Sequence, residues 1–261
     1  MNNLHAIILG IVEGLTEFLP VSSTFHLIFS AKVLGLESTE FLKLFEVFIQ
    51  SGAIFSLVFI YAKTLLTNKK LFLNTLYAFM PTAVVGMVLY KVIKAIFFEA
   101  DWLMLSVFVI VGVLFILLEK YQRSHNIILS KTCDNLTFRD SLMIGTTQAL
   151  SVVPGVSRSG SVIVAMMLLG YKREEAAKFT FLLSLPTIFA ASVLDFYQSR
   201  KLLFNSSVSY ALLAVGFLTS FLVAYIVVKW FTKYLSNHTL EIFGWYRLIV
   251  AGFILVSMAL L

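Results

Sequence analysis

Long apolar runs set the pattern of this chain. Runs near the length of a membrane-spanning helix, about 20 residues, occupy Phe45–Ala62, Phe72–Phe97, Trp102–Leu118, Ala176–Tyr197, Val208–Phe231 and Ile242–Leu261. They predict six transmembrane helices. Two further apolar stretches, Leu4–Leu34 and Phe138–Gly170, are interrupted in their middles by Pro20 and by Pro154-Gly155, each beside serine. Proline lacks the N–H and clashes with the preceding turn, so each stretch divides into two halves too short to cross alone. Broken helices at membrane depth persist only where protein or water covers the freed backbone groups. Both stretches therefore read as re-entrant helical hairpins.

The two broken stretches resemble one another. Leu9-Gly10 and Glu13 through Thr16 lie over Ile144-Gly145 and Gln148 through Ser151; without a gap, Val21-Ser22-Ser23-Thr24 falls over Val156-Ser157-Arg158-Ser159. The offset is 135 residues (145 − 10), close to half the chain, and Ile54-Phe55 falls over Ile188-Phe189 at nearly the same offset. The pattern predicts a duplication within a single membrane domain, 1–261, with repeat 1 at about 1–130 and repeat 2 at about 131–261. Three spans per copy is odd, so the second copy is expected upside-down: an inverted-topology repeat with its site where broken helices meet.

Composition agrees with lipid. Of 261 residues, 59% are apolar and 13% charged, whereas soluble domains run near a quarter charged. The class is an all-α integral membrane protein. The start has no basic region or small-residue cleavage site, so the first apolar stretch is expected to stay. The single cysteine, Cys133, excludes an intrachain disulfide and a multi-cysteine metal site. The net charge of +6 reads as basic loops at an anionic membrane surface, not as nucleic-acid binding. Loops after odd-numbered spans carry twelve Lys and Arg, the opposite side six, with Arg158 and Arg247 left at or near membrane depth. The excess predicts the first side in the cytoplasm. Both termini and the first hairpin then open to the outside.

Candidate chemistry concentrates in the two breaks. Glu13 and Glu17 share one helix face, and Ser22, Ser23, Thr24 and His26 follow the break at Pro20. Carboxylates at membrane depth usually line a working cavity. The pair could hold a hard divalent cation such as Mg²⁺, Ser23 or a neighbouring hydroxyl could attack phosphorus, and His26 could serve as base or acid. The second break, Pro154 to Gly160, offers Gly155, Ser157 and Ser159 around Arg158. A helix start there favours anions, and the guanidinium fork grips phosphate oxygens. Plainer readings stand beside these: an ion pair of Arg158 with the acids, serines that only cap helices, and a histidine that is merely hydrogen-bonded. Glu46 and Gln50 could support the site or bond between helices. Gln148, the counterpart of Glu13, is expected to line the same cavity. Arg247, beside Trp245 and Tyr246, reads as an interfacial anchor.

The motifs Glu-Gly-Leu-Thr-Glu-Phe-Leu-Pro-Val-Ser-Ser-Thr at 13–24, Phe-Glu-Val-Phe-Ile-Gln at 45–50 and Pro-Gly-Val-Ser-Arg-Ser-Gly at 154–160 resemble the bacterial undecaprenyl-diphosphatase family, the bacitracin-resistance phosphatases. The resemblance covers the whole chain. It implies hydrolysis of undecaprenyl diphosphate to undecaprenyl phosphate and inorganic phosphate, recycling the lipid carrier of cell-wall synthesis. It implies a polyprenyl diphosphate substrate, a divalent cation (Mg²⁺ or Ca²⁺), a multi-pass place in the bacterial plasma membrane and a site facing outside; a homodimer stays open. The family's acids fall on Glu13 and Glu17, its hydroxyl on Ser23, its histidine on His26 and its arginine on Arg158, with Ser157 and Ser159 beside it. Two positions depart: Phe25 stands where the family usually has glycine, and Val162 where it usually has threonine. A different class remains as the alternative, a transporter or flippase of an anion or lipid phosphate, since inverted repeats with broken helices also build transporters.

Overall fold

The structure, a computed structural model, describes residues 1–96, 101–203 and 209–260, without the side chains of 90–96, 101, 199–203 and 257–260. Phe97, Val208 and Leu261, at the ends of three predicted spans, and the side chains of Lys91, Lys94, Arg200 and Lys201 lie outside the described residues. Among the described residues ten α-helices follow one another: α1 (Asn3–Thr16), α2 (Ser23–Val33), α3 (Glu40–Thr67), α4 (Lys69–Ile96), α5 (Asp101–Ser124), α6 (Phe138–Ala149), α7 (Arg158–Leu168), α8 (Arg173–Leu203), α9 (Tyr210–Leu235) and α10 (Glu241–Leu260). No strand occurs among the described residues, and the long apolar helices make the protein an all-α integral membrane protein. Among the described residues five helices, within α3, α4, α5, α8 and α9, are long and apolar enough to cross a membrane. The sixth predicted span falls on α10, 20 residues long.

Several observed helices overrun the predicted spans into polar flanks. At the start of α3, for example, the Thr39 side chain accepts from the Leu42 amide at 3.2 Å, and the helix begins five residues before Phe45. The two interrupted stretches divide as expected. α1, α2, α6 and α7 have 14, 11, 12 and 11 residues, and at 1.5 Å per residue the longest reaches only about 21 Å. α1 packs on α2, and α6 on α7.

The long helices enclose these pairs by exchange. α1 lies against α9, α6 lies against α4, α3 against α8, and α5 against α10. Thus the short helix of each half packs on a long helix of the other half. Missing side chains make the approach close. A Cβ on Gly10 or Gly14 of α1 would stand 2.8 Å from the backbone oxygens of Gly216 or Ser220 on α9, and one on Gly145 of α6 would collide with the Ala78 carbonyl on α4. Between lipid-facing helices there is little hydrophobic drive, so such contacts carry the association.

Basic residues predicted for one side do gather at one end. Lys70 bonds the Asp134 carbonyl at 2.5 Å, Arg123 pairs with Glu241 at 2.8 Å, and Arg173 grips the buried Glu119. Gly145→Ala is expected to destabilise the protein by about 1–3 kcal/mol through overpacking. Gly86→Ala, where a Cβ meets nothing within 4 Å, should be neutral or stabilising by up to about 1 kcal/mol. Unfolding of both variants in detergent checks the contrast.

Candidate functional site

Each helix break contains a residue whose backbone is strained. Ser22 (φ 68°) precedes α2 and Ser157 (φ 70°) precedes α7, both left-handed, and they lie 135 residues apart (157 − 22). Non-glycine residues in that region cost of order 1–3 kcal/mol and persist where the surroundings demand them. The plain capping reading holds for Ser157, whose Oγ accepts from the Gly160 amide at 3.3 Å. It does not hold for the first break, because Ser22 makes no side-chain cap and Ser23 turns its hydroxyl elsewhere.

That hydroxyl donates to Glu17 Oε2 at 2.5 Å. Gln50 Nε2 donates to the same oxygen at 3.3 Å. Arg158 Nη2 donates to the other oxygen, Oε1, at 2.8 Å. The ion pair is buried, with side-chain exposures of 12% and 4%. Arg158 Nη1 turns to Ser184 Oγ and the Thr180 carbonyl on α8. Ser159 Oγ, 3.1 Å from Ser157 Oγ, donates to the Leu19 carbonyl at 2.8 Å. The two breaks are thereby tied across 140 residues of chain.

A cavity of about 190 Å³ opens between them. Glu17, Ser22, Ser23, Thr24 and Gln50 line it from the first half, and Gly155, Ser157, Arg158 and Thr187 from the second. The sequence expectation that both breaks form one polar pocket is therefore met in the geometry. Ser159 supports the wall through Leu19 and does not line it. His26 also stands outside the lining. Its Nδ1 donates to the Ser22 carbonyl at 2.8 Å, which in the neutral ring leaves Nε2 to accept from Tyr246 Oη, also at 2.8 Å. The two rings stack with centroids 5.7 Å apart.

Glu13 differs from Glu17. It is fully buried behind the cavity lining, and its carboxylate oxygens accept from no donor, the Glu17 carboxyl being the polar group beside them. The charges acting on it are Glu17, Glu46 and Arg158. Orphaned oxygens one turn from a second carboxylate fit a hard cation. Among the described residues no three His, Cys, Asp or Glu side chains converge into a cage.

Two expectations are corrected. Gln148 does not line the cavity; its Nε2 donates to Thr82 at 2.8 Å and Thr187 at 3.2 Å, because α6 presents that face to α4 and α8. Arg247 is no interfacial anchor. It is fully buried, and its guanidinium bonds the carbonyls of Pro20, Phe108, Gly155 and Val156. Backbone acceptors leave no trace in a sequence; Gly112 on α5, where a Cβ would stand 3.0 Å from Arg247 Cβ, marks the close approach.

Removing one partner of the buried pair strands the other charge. Arg158→Ala alone should cost about 3–5 kcal/mol. Arg158→Ala combined with Glu17→Ala should cost less than the sum of the single changes, as thermal unfolding of all three variants would measure.

The family model described as bacitracin resistance protein BacA matches residues 6–253. The chain is 41% identical to an undecaprenyl-diphosphatase of Aquifex aeolicus over 96% of both chains. It is 42% identical to one of Campylobacter fetus, over 98% of this chain and 99% of that one. A third, of Sulfurihydrogenibium, is 44% identical over 96% and 97%. With the match running through both helix breaks, the chain belongs to the BacA family of bacitracin resistance proteins.

Proposed function

We propose that the protein is a membrane phosphatase that hydrolyses undecaprenyl diphosphate to undecaprenyl phosphate and inorganic phosphate. One observation carries the reading: a hydroxyl, its acidic partner and a guanidinium, drawn from two helix breaks, face one polar cavity inside an apolar bundle. The relatives' names favour hydrolysis over lipid flux.

The diphosphate head enters the cavity while the prenyl tail stays among lipid-facing helices. Arg158 turns from Glu17 to the phosphate oxygens, aided by the start of α7, where amides and helix dipole favour anions. Ser23 attacks the terminal phosphorus. Its proton passes to Glu17 Oε2, to which it already points, and the bond to the bridging oxygen breaks, releasing undecaprenyl phosphate. Water then cleaves the phosphoserine and frees inorganic phosphate. His26 supports this from behind, holding the Ser22 carbonyl in place. Glu13 and Glu17 would hold Mg²⁺ or Ca²⁺, which neutralises phosphate charge and polarises phosphorus when bound.

The shared left-handed serines and the exchanged packing of α1 on α9 and α6 on α4 support an inverted repeat within one domain, 1–261. The basic residues at one end support a cytoplasmic face there. Both termini and the cavity mouth then face outside the bacterial plasma membrane.

Purified protein in detergent, where no gradient exists, should release phosphate from a polyprenyl diphosphate. Glu17→Ala or Arg158→Ala should lower that rate by about 10²–10³-fold or more. A chelator should stop it and Mg²⁺ or Ca²⁺ restore it. Near-normal release by either variant removes that residue's role; flux in sealed vesicles without hydrolysis would favour the transporter.

A further inference from the structure

Arg247 is the largest fully buried side chain among the described residues, and the mechanism above does not use it. It projects from α10 between the rings of Phe108 and Phe115, 4.7 and 5.4 Å from their centroids. Among the described residues no carboxylate lies within ion-pair reach of it. Its partners are carbonyls. Nε donates to Pro20 at 3.0 Å, and Nη1 to Gly155 at 3.0 Å and Phe108 at 3.3 Å; Nη2 reaches Val156 at 3.5 Å.

Three of these acceptors belong to the two breaks. Pro20 is two residues before Ser22, and Gly155 and Val156 immediately precede Ser157. Carbonyls freed by a helix break need donors at membrane depth. One rigid guanidinium, with five donors in a fixed plane, serves both breaks at once. The neighbouring Tyr246 bonds His26, which in turn bonds the Ser22 carbonyl. Consecutive residues of α10 thus hold the first break from two directions. Room for the clamp comes from glycine: a Cβ on Gly112 would stand 3.0 Å from Arg247 Cβ and 3.1 Å from the Gly244 carbonyl.

We propose that Arg247 is a positioning residue for the hydrolysis proposed above: it clamps the carbonyls of both helix breaks and so sets the distance between Ser23 with Glu17 and Arg158. Arg247 touches none of the reacting groups. It acts through Pro20 on the hairpin that carries Ser23, and through Gly155 and Val156 on the residue before Arg158. A lysine keeps the charge and loses the fork, so it cannot hold three carbonyls in one plane.

The test compares wild type with Arg247→Lys, both as folded, monodisperse protein in detergent. Misplacement of reacting groups by about 1 Å costs on the order of 100-fold. The variant should therefore lose about that much in kcat for polyprenyl diphosphate while KM changes far less. Hydrogen exchange should rise at residues 19–24 and 153–158 and stay unchanged in α3, α4 and α9. If Arg247→Lys does not fold, Gly112→Ala presses the clamp sideways with every donor retained, and a smaller loss of kcat with the same two exchange changes is expected. A wild-type kcat in the folded variant, a loss confined to KM, or exchange rising throughout the bundle would overturn the clamp. Wild type that releases no phosphate would instead overturn the proposed function, and the exchange pattern would still judge the clamp.

Discussion

Opposite charges buried in an apolar bundle are expensive unless they meet, and unless their remaining donors and lone pairs are taken. Glu17 and Arg158 satisfy that condition. They come from helix breaks 141 residues apart in sequence and meet at 2.8 Å, with Ser23, Gln50 and Ser184 on their other atoms. Much of the rest of the fold serves this meeting. Short helices bring each break to mid-bundle, glycines let those helices press against their neighbours, and strained serines turn the chain at the point where the charges must face. The strain at Ser22 and Ser157 sits in the cavity wall, the place where stored backbone energy is usually found in working sites.

The two acids of the first break meet different surroundings despite sharing one helix face. Glu17 is saturated with donors, while Glu13 has none. A carboxylate already holding a serine proton and a guanidinium is placed to accept that proton and to release the guanidinium to phosphate. Identity of residue type alone could not separate the two, since the difference lies in what each side chain meets.

Much of this was legible in the sequence because proline, glycine and serine punctuate helices for physical reasons. Pro20 and Pro154-Gly155 placed both breaks, and α1, α2, α6 and α7 fall where those residues put them. The pairing of Arg158 with an acid was readable as an alternative, since an arginine at membrane depth must find a partner. What could not be read depends on contacts with backbone or across long separations. Arg247 beside Trp245 and Tyr246 looks like an interfacial group, yet its partners are carbonyls, which every residue has. The bond between His26 and Tyr246 spans 220 residues, and nothing local announces it. Gln148 occupies the repeat position of Glu13 but turns to Thr82 and Thr187, hydroxyls 66 and 39 residues away that nothing local announces.

The most direct measurement is an experimental structure with a non-hydrolysable polyprenyl methylenediphosphonate bound. The terminal phosphonate is expected between Ser23 Oγ and the Arg158 guanidinium, with Arg158 turned from Glu17 and the tail leaving toward lipid. A headgroup bound away from both helix breaks, with the ion pair of Glu17 and Arg158 intact, would contradict the shared pocket.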